Sequence, residues 1–328
     1  MAAPAIAVHT GAATTSCGID GVERIVAVGD VHGAYDRLVE ILRAVNLIDA
    51  RLRWSGGHTH LVQLGDVVGR GPDSRRALDL LRHLEPEAAS VGGRVHLLLG
   101  NHEAMRMLGD LRDVAPGEYR AFVTSDSEEI RRRFVESAER GDREQRLKST
   151  PLGLLEMRAA FERDGTYGKW LRTLDSVVKI NGVLFVHGGI SPAVAPLSCD
   201  EINTTVRREL TTDLDQTRAG AAVGLAMRAN GPLWYRGLAT EADTFAPDVD
   251  DILRKQKARA IVVGHTVTPG RRIRVRFAGK VVEIDTGMQP AYIQNGRASA
   301  LEIRGGKFTA VYLDRRDTLV VASASTVR

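Results

Sequence analysis

A chain of 328 residues, 43% hydrophobic and 26% charged, can bury a sizeable core, and with no internal repeat or long low-complexity run it is neither a solenoid nor a disordered segment. The net charge of +4 and pI near 9.2 invite a polyanion partner. Basic and acidic residues are interleaved, however, and aromatics make up only 5%, so there is little to stack bases on and no specific nucleic-acid partner is expected. No transmembrane segment is expected either.

The start, Met1-Ala2-Ala3-Pro4-Ala5-Ile6-Ala7, lacks a basic beginning and a full apolar core, but Ala5-Ile6-Ala7 has the form of an Ala-x-Ala cleavage site. Residues 1–23 are therefore expected to be an extension, possible remnant of an export signal. Five short motifs then follow, each behind an apolar run bounded by glycine. Ile25–Val28 precedes Gly29-Asp30-Val31-His32-Gly33, and Leu61–Leu64 precedes Gly65-Asp66-Val67-Val68-Gly69-Arg70-Gly71. Val95–Leu99 leads into Gly100-Asn101-His102-Glu103, Val183–Val186 into His187-Gly188-Gly189, and Ile261–Val263 into Gly264-His265. Runs of this length suit strands covered on both faces. Loops leaving the carboxyl ends of such strands converge, so distant residues can meet in one crevice.

Between the third and fourth motifs the composition changes. Glu128-Glu129-Ile130-Arg131-Arg132-Arg133, Glu136, Glu139-Arg140 and Asp142-Arg143-Glu144 alternate in sign at helical spacing, and Ser149-Thr150-Pro151 breaks the pattern. Residues 104–175 are read as a helical insertion, either a cap over the crevice or a solvated, salt-bridged exterior. The two cysteines, Cys17 and Cys199, lie outside the motifs. They fit one disulfide in an oxidising compartment or two separate thiols. With the Ala-x-Ala start, they tilt the expectation toward a periplasmic or secreted protein rather than a cytoplasmic one. His58 and His60 flank a turn without a third ligand nearby, and His96 sits in an apolar strand.

The motif residues supply carboxylate, imidazole and amide donors but no thiolate, a set suited to Mn, Fe or Zn. Asp30, His32 and Asp66 are expected to hold one divalent ion, and Asp66, Asn101, His187 and His265 a second, with Asp66 bridging. Such a pair acidifies a shared water and clamps the oxygens of an in-line displacement at phosphorus. Phosphate-ester hydrolysis by direct attack of a metal-bridging hydroxide is the expected chemistry.

In order and spacing these motifs resemble those of the phosphoprotein phosphatase family of calcineurin-like metallophosphoesterases. Gly100–Met105, Leu108-Gly109-Asp110-Leu111-Arg112, Gly231-Pro232-Leu233-Trp234-Tyr235-Arg236 and Ile284-Asp285-Thr286-Gly287-Met288 resemble its Shewanella-like branch. The resemblance implies an α/β fold, a central double β-sandwich flanked by helices, over residues 24–313, with 314–328 as a tail. It implies that His102 protonates the leaving oxygen and that Arg70 and Arg236 grip the phosphate with planar guanidinium forks. It also implies a phosphorylated protein or peptide substrate, phosphotyrosine ahead of phosphoserine and phosphothreonine. A small-molecule phosphohydrolase acting on dinucleoside polyphosphates would use the same core motifs, and a catalytically weak phosphopeptide-binding scaffold would keep the metals alone. Trp234-Tyr235, just before Arg236, is expected at the phosphate pocket.

One position departs from the family. Many relatives read Gly-Asp-x-x-Asp-Arg-Gly in the second motif, the later Asp supporting the catalytic imidazole, whereas this chain has Gly69 there. Asp73 is a candidate replacement, with N-capping of a helix from Ser74 as its alternative role.

Overall fold

The apolar runs form strands offset by about one residue from the expected limits. In a computed structural model that describes residues 17–212 and 224–322, they build two six-stranded sheets. One sheet runs β12 (Arg316–Leu319), β11 (Lys307–Tyr312), β10 (Ser299–Arg304), β2 (Arg24–Val28), β3 (His60–Gln63), β4 (Arg94–Leu97). The other runs β1 (Gly18–Ile19), β5 (Val177–Ile180), β6 (Val183–Val186), β7 (Ala260–Val263), β9 (Val281–Glu283), β8 (Arg274–Arg276). The stretch Met1–Ala7 and His9 lie outside the described residues. Gly18–Ile19 and Arg316–Leu319 fall beyond the expected 24–313 boundary, yet each adds an edge strand.

Alternation along the strands makes the two sheets a sandwich. Ile25, Ala27, Val62, Phe185, Val262, Val282 and Phe308 pack between the sheets, while their neighbours Val26, Val28, Leu61, Leu184, Ile261 and Val263 pack against helices. Each fully buried aliphatic or aromatic side chain contributes roughly 1.5–3 kcal/mol. Because both faces are covered, the strands read as continuous apolar runs. Helix α1 (Tyr35–Ala44) buries Leu38, Ile41 and Leu42, and α2 (Ser74–Ser90) buries Ala77, Leu78, Leu81 and Leu84. These helices carry the chain back so that β2, β3 and β4 pair in parallel. In the other sheet β6, β7 and β9 are parallel too.

The insertion is helical, as its charge pattern predicts: α3 (Asn101–Leu108), α4 (Pro116–Arg120), α5 (Ser127–Glu136), α6 (Arg143–Lys148), α7 (Leu154–Phe161) and α8 (Gly168–Leu171). Ion pairs Glu128–Arg131, Glu129–Arg132, Glu129–Arg133 and Glu144–Lys148 follow the i,i+3 and i,i+4 spacing. The chain breaks between Lys148 and Leu154, around Pro151. A buried Arg106–Glu118 pair at 3.3 Å ties α3 to α4. Among the described residues no helix is long and apolar enough to cross a membrane.

Cys17 and Cys199 form a disulfide with Cα atoms 5.8 Å apart, joining the start of β1 to the start of α9 (Cys199–Thr211) across 182 positions. Replacing both cysteines with serine is expected to cost about 2–4 kcal/mol in denaturant unfolding. An unchanged midpoint would show that the packing around β1 suffices without the bond. His96 is held neutral in β4, its Nε2 3.0 Å from His60 Nδ1, and burial, helped by Arg94 and His60, lowers its pKa to about 3. The folded state then binds fewer protons than the unfolded one between pH 6.5 and 3. Its stability contribution is present above 6.5 and declines as pH falls, by up to about 1.4 kcal/mol per unit. His96→Gln should flatten that acid limb in urea titrations at stepped pH; an unaltered slope would assign acid lability elsewhere.

Candidate metal centre

The carboxyl ends of β2, β3 and β4 in one sheet and of β6, β7 and β9 in the other open onto the same rim. The loops that leave them bring the motif residues together. His32, Asp66 and His102 have ligand-type atoms within 4.8 Å of one another, and so do Asp66, His187 and His265. Asp66 belongs to both groups, the position that a carboxylate shared between two ions would take. His187 Nε2 lies 3.0 Å from Asn101 Oδ1, 3.1 Å from His265 Nδ1 and 3.3 Å from Asp66 Oδ2. Four donor atoms packed this closely, with no proton donor required among them, fit ligands that share one ion at about 2.0–2.2 Å. His32 Nε2 lies 3.8 Å from Asp30 Oδ2 and 3.6 Å from Asp66 Oδ2.

Three of the four imidazoles have their tautomer set by a backbone carbonyl. His32 Nδ1 is 3.1 Å from Val68 O, His187 Nδ1 2.9 Å from Leu64 O, and His265 Nε2 3.2 Å from Trp234 O. A carbonyl only accepts, so each of these nitrogens carries the hydrogen and the other ring nitrogen turns a lone pair toward the centre. His102 differs. Its ring has no such carbonyl, and its Nε2 faces Asp66 Oδ2 at 3.8 Å and Asp113 Oδ2 at 4.0 Å. That suits a group that exchanges a proton rather than one fixed as a ligand.

Backbone bonds hold the loops. The Glu103 carboxylate, fully buried, accepts from the N–H groups of Asp66 (2.8 Å), Val67 (2.9 Å), Val68 (3.2 Å) and Gly100 (2.9 Å). Asp66 Oδ1 in turn accepts from His102 N at 2.9 Å, and Asp30 Oδ1 from His265 N at 3.0 Å. His32, Asp66, Arg70 and His265 all adopt positive φ, 48° to 67°, strained backbone of the kind that persists where surrounding contacts over-determine it. Gly264 shows why glycine precedes His265: a Cβ there would stand 2.5 Å from Asp30 Oδ1.

Electrostatically the ligand set needs cations. Burial raises Asp66 to about 8, with Asp285 adding to it against the His102 N–H, and burial followed by Asp285 raises Asp30 well above the usual carboxylate range. Burial, with Arg70 and His187, lowers His32 to about 3. Divalent ions reverse this logic, stabilising carboxylates and neutral imidazoles alike.

The centre floors a cleft of about 340 Å³. Arg70, Arg236 and Trp234 line it as expected, whereas Tyr235 is not among its lining residues. The guanidinium of Arg236 donates to His265 O (2.7 Å) and Thr266 Oγ1 (3.0 Å). That of Arg70 lies 3.9 Å over the Tyr292 ring and 3.4 Å from Asp113, with its buried Nε unpartnered. Of residues 104–175, only Met105, Arg112 and Asp113 line the cleft, and α4 to α8 contribute no lining residue. The expected cap thus reduces to the loop between α3 and α4.

Asp73 does not support His102. It stands at the N-cap of α2 without a capping bond, and its carboxylate accepts from Arg76 at 3.2 Å. Gly69 leaves room for the imidazole, since a Cβ at that position would collide with His102 Nδ1. Three functional positions escaped sequence reasoning. Glu103 was visible in its motif without an assigned task. Asp285, buried beside Asp30, follows the apolar run Val281–Ile284 as Asp30 follows its own, so the same strand-then-Asp grammar could have found it. Asp113 sits in a charged stretch with no local signal.

A sandwich with two overlapping groups of buried His and Asp side chains beneath two cleft arginines defines a dinuclear metal-dependent phosphoester hydrolase. The calcineurin-like phosphoesterase profile matches residues 23–269, and the chain belongs to that family. It is similar to Shewanella-like protein phosphatase 1 of Plasmodium berghei (strain Anka), 29% identical over 81% of this chain and 67% of the relative. Shewanella-like protein phosphatase 2 of Arabidopsis thaliana is 28% identical over 86% and 75%. The crystal structure of a cold-active protein-tyrosine phosphatase from a psychrophilic Shewanella species superposes with a TM-score of 0.73, at 31% identity over 92% of this chain and 82% of that one.

Removing the Glu103 carboxylate strands four buried N–H groups, each costing about 1–3 kcal/mol. Glu103→Ala is expected to unfold earlier and to retain at most half the wild-type metal by elemental analysis. Full metal content with an unshifted melting curve would refute its part in holding Asp66.

Proposed function

We propose that this protein hydrolyses phosphate monoesters on phosphoproteins, with phosphotyrosine preferred over phosphoserine and phosphothreonine. The observation that carries this is the meeting of Asp30, His32, Asp66, Asn101, His187 and His265 beneath a cleft flanked by Arg70 and Arg236. Mn, Fe or Zn suits the donors; Asp30, His32 and Asp66 would hold one ion and Asp66, Asn101, His187 and His265 the other, and the pair would supply an acidified water for direct attack and positive charge for the phosphoryl oxygens. Arg70 and Arg236 hold the equatorial oxygens in line, and their fixed charge offsets what develops there. His102, carrying a proton on Nε2, delivers it to the departing side-chain oxygen. Phosphotyrosine preference is supported by the likeness to a Shewanella enzyme described as a protein-tyrosine phosphatase. The Cys17–Cys199 bond supports a periplasmic or secreted setting.

A panel of phosphotyrosine, phosphoserine and phosphothreonine peptides plus a dinucleoside polyphosphate, each with Mn, Fe, Zn and Mg, tests the reading. Phosphotyrosine peptides should turn over fastest, and Asp66→Asn should lower kcat/KM by about 10²–10³, in line with losing a single strong electrostatic stabiliser of the transition state. Faster turnover of the dinucleotide would transfer the protein to the small-molecule hydrolases, and undiminished activity of the variant would sink the bridging carboxylate.

A further inference from the structure

The cleft is lined by four arginines, two more than the phosphate grip uses, alongside the carboxylates of Asp66, Asp113 and Asp285. Besides Arg70 and Arg236, it is lined by Arg112, from the loop after α3, and Arg271, from the turn Pro269–Arg271 that follows the His265 loop. Arg271 makes one side-chain hydrogen bond, from Nη1 to Thr268 O at 3.2 Å, and among the described residues has no carboxylate partner. Its backbone is left-handed (φ 56°), directly after a left-handed Gly270 (φ 73°). The turn is pinned by Thr268 N donating to Asp285 O at 2.9 Å and Arg271 N to Thr268 O at 3.2 Å. A long cation held in a strained turn anchored to the metal centre is poorly explained as ordinary solvated surface. Arg112 is exposed over 74% of its side chain, its guanidinium paired with Asp110 through Nε and Nη2. Between these cations the wall is apolar, from Val267, Ile293 and Met105.

Two divalent ions held by the ligand residues would offset the charge of the carboxylates at the floor, and Arg70 and Arg236 would complete the grip on a single phosphate. At the same cleft Arg271, without a carboxylate partner among the described residues, and Arg112, which Asp110 engages through Nε and Nη2 only, can meet further negative charge on the substrate. We propose that Arg112 and Arg271 determine specificity by selecting phosphopeptides with acidic residues beside the phosphorylated side chain. This deepens the phosphoprotein reading above and rests on it.

The test measures binding separately from turnover. Two fluorescent peptides carry a non-hydrolysable phosphonate isostere of phosphotyrosine, one flanked by glutamates and one by glutamines, and are titrated with metal-loaded protein by anisotropy. Wild type should bind the acidic peptide about ten-fold tighter at 0.1 M salt, about three-fold for each arginine, and the preference should shrink at 1 M. Arg271→Gln and Arg112→Gln should each remove about three-fold, and the double variant should bind both peptides alike. The corresponding double lysine variant should keep the preference, which separates lost charge from misfolding. Equal binding by wild type, absent binding of both peptides, or a preference surviving in the double glutamine variant overturns the proposal. If the acidic preference holds but no phosphopeptide is turned over, the phosphatase reading fails and the binding preference stands. If phosphopeptides turn over without regard to flanking charge, the selectivity alone is lost.

Discussion

The geometry of this site depends on one buried carboxylate that does not line the cleft. Glu103 gathers the N–H groups of Asp66, Val67, Val68 and Gly100, so the loops after β3 and β4 are fixed to each other through α3. Asp66 then occupies a left-handed conformation (φ 53°) that it would not adopt alone, and its carboxylate points between the two ligand groups. Asn101 and His102 are set by the same contact, because Glu103 lies in the first turn of the helix that bears them. Burial raises the pKa of Glu103, with Asp66 adding to it, while the amides of Asp66 and Gly100 oppose the shift. A carboxylate with several backbone donors is stable inside a protein where a lone one is not.

The legibility of the sequence follows from how local each constraint is. Strands buried on both faces announce themselves as apolar runs, and the glycine–ligand pairs after them mark the rim, so the positions of Asp30, His32, Asp66, Asn101, His187 and His265 could be read without coordinates. The helical insertion was equally plain, because ion pairs such as Glu129–Arg133 are one turn apart. What the insertion covers was not plain. Its orientation is decided by the Arg106–Glu118 pair and by Phe122, Phe161 and Tyr167 packing together, contacts between segments that no window of sequence contains. Asp113 reaches the cleft for the same reason: its backbone carbonyl accepts from Arg70 N at 2.7 Å across a gap of forty-three positions. Edge strands at 18–19 and 316–319 are too short to carry a periodic signal, and they exist because a neighbouring strand offers its free edge.

The surroundings of His102 bear on the kind of ester this cleft suits. In relatives with an Asp at the position of Gly69 a carboxylate supports the imidazole; here the ring fills the space a side chain at 69 would need, and among the described residues no carboxylate takes over that task. The carboxylates that do approach, Asp66 and Asp113, face Nε2, the nitrogen on the cleft side. An imidazole without a carboxylate on its far nitrogen is a less firmly oriented proton donor. How much that matters depends on the leaving oxygen. A tyrosine phenolate, with a reference pKa of about 10, departs with little help, whereas a serine or threonine alkoxide is far more basic and leans heavily on the acid. The absence of a second-motif carboxylate would be easier to tolerate with an aryl ester than with an alkyl one, which is compatible with the proposed phosphotyrosine preference.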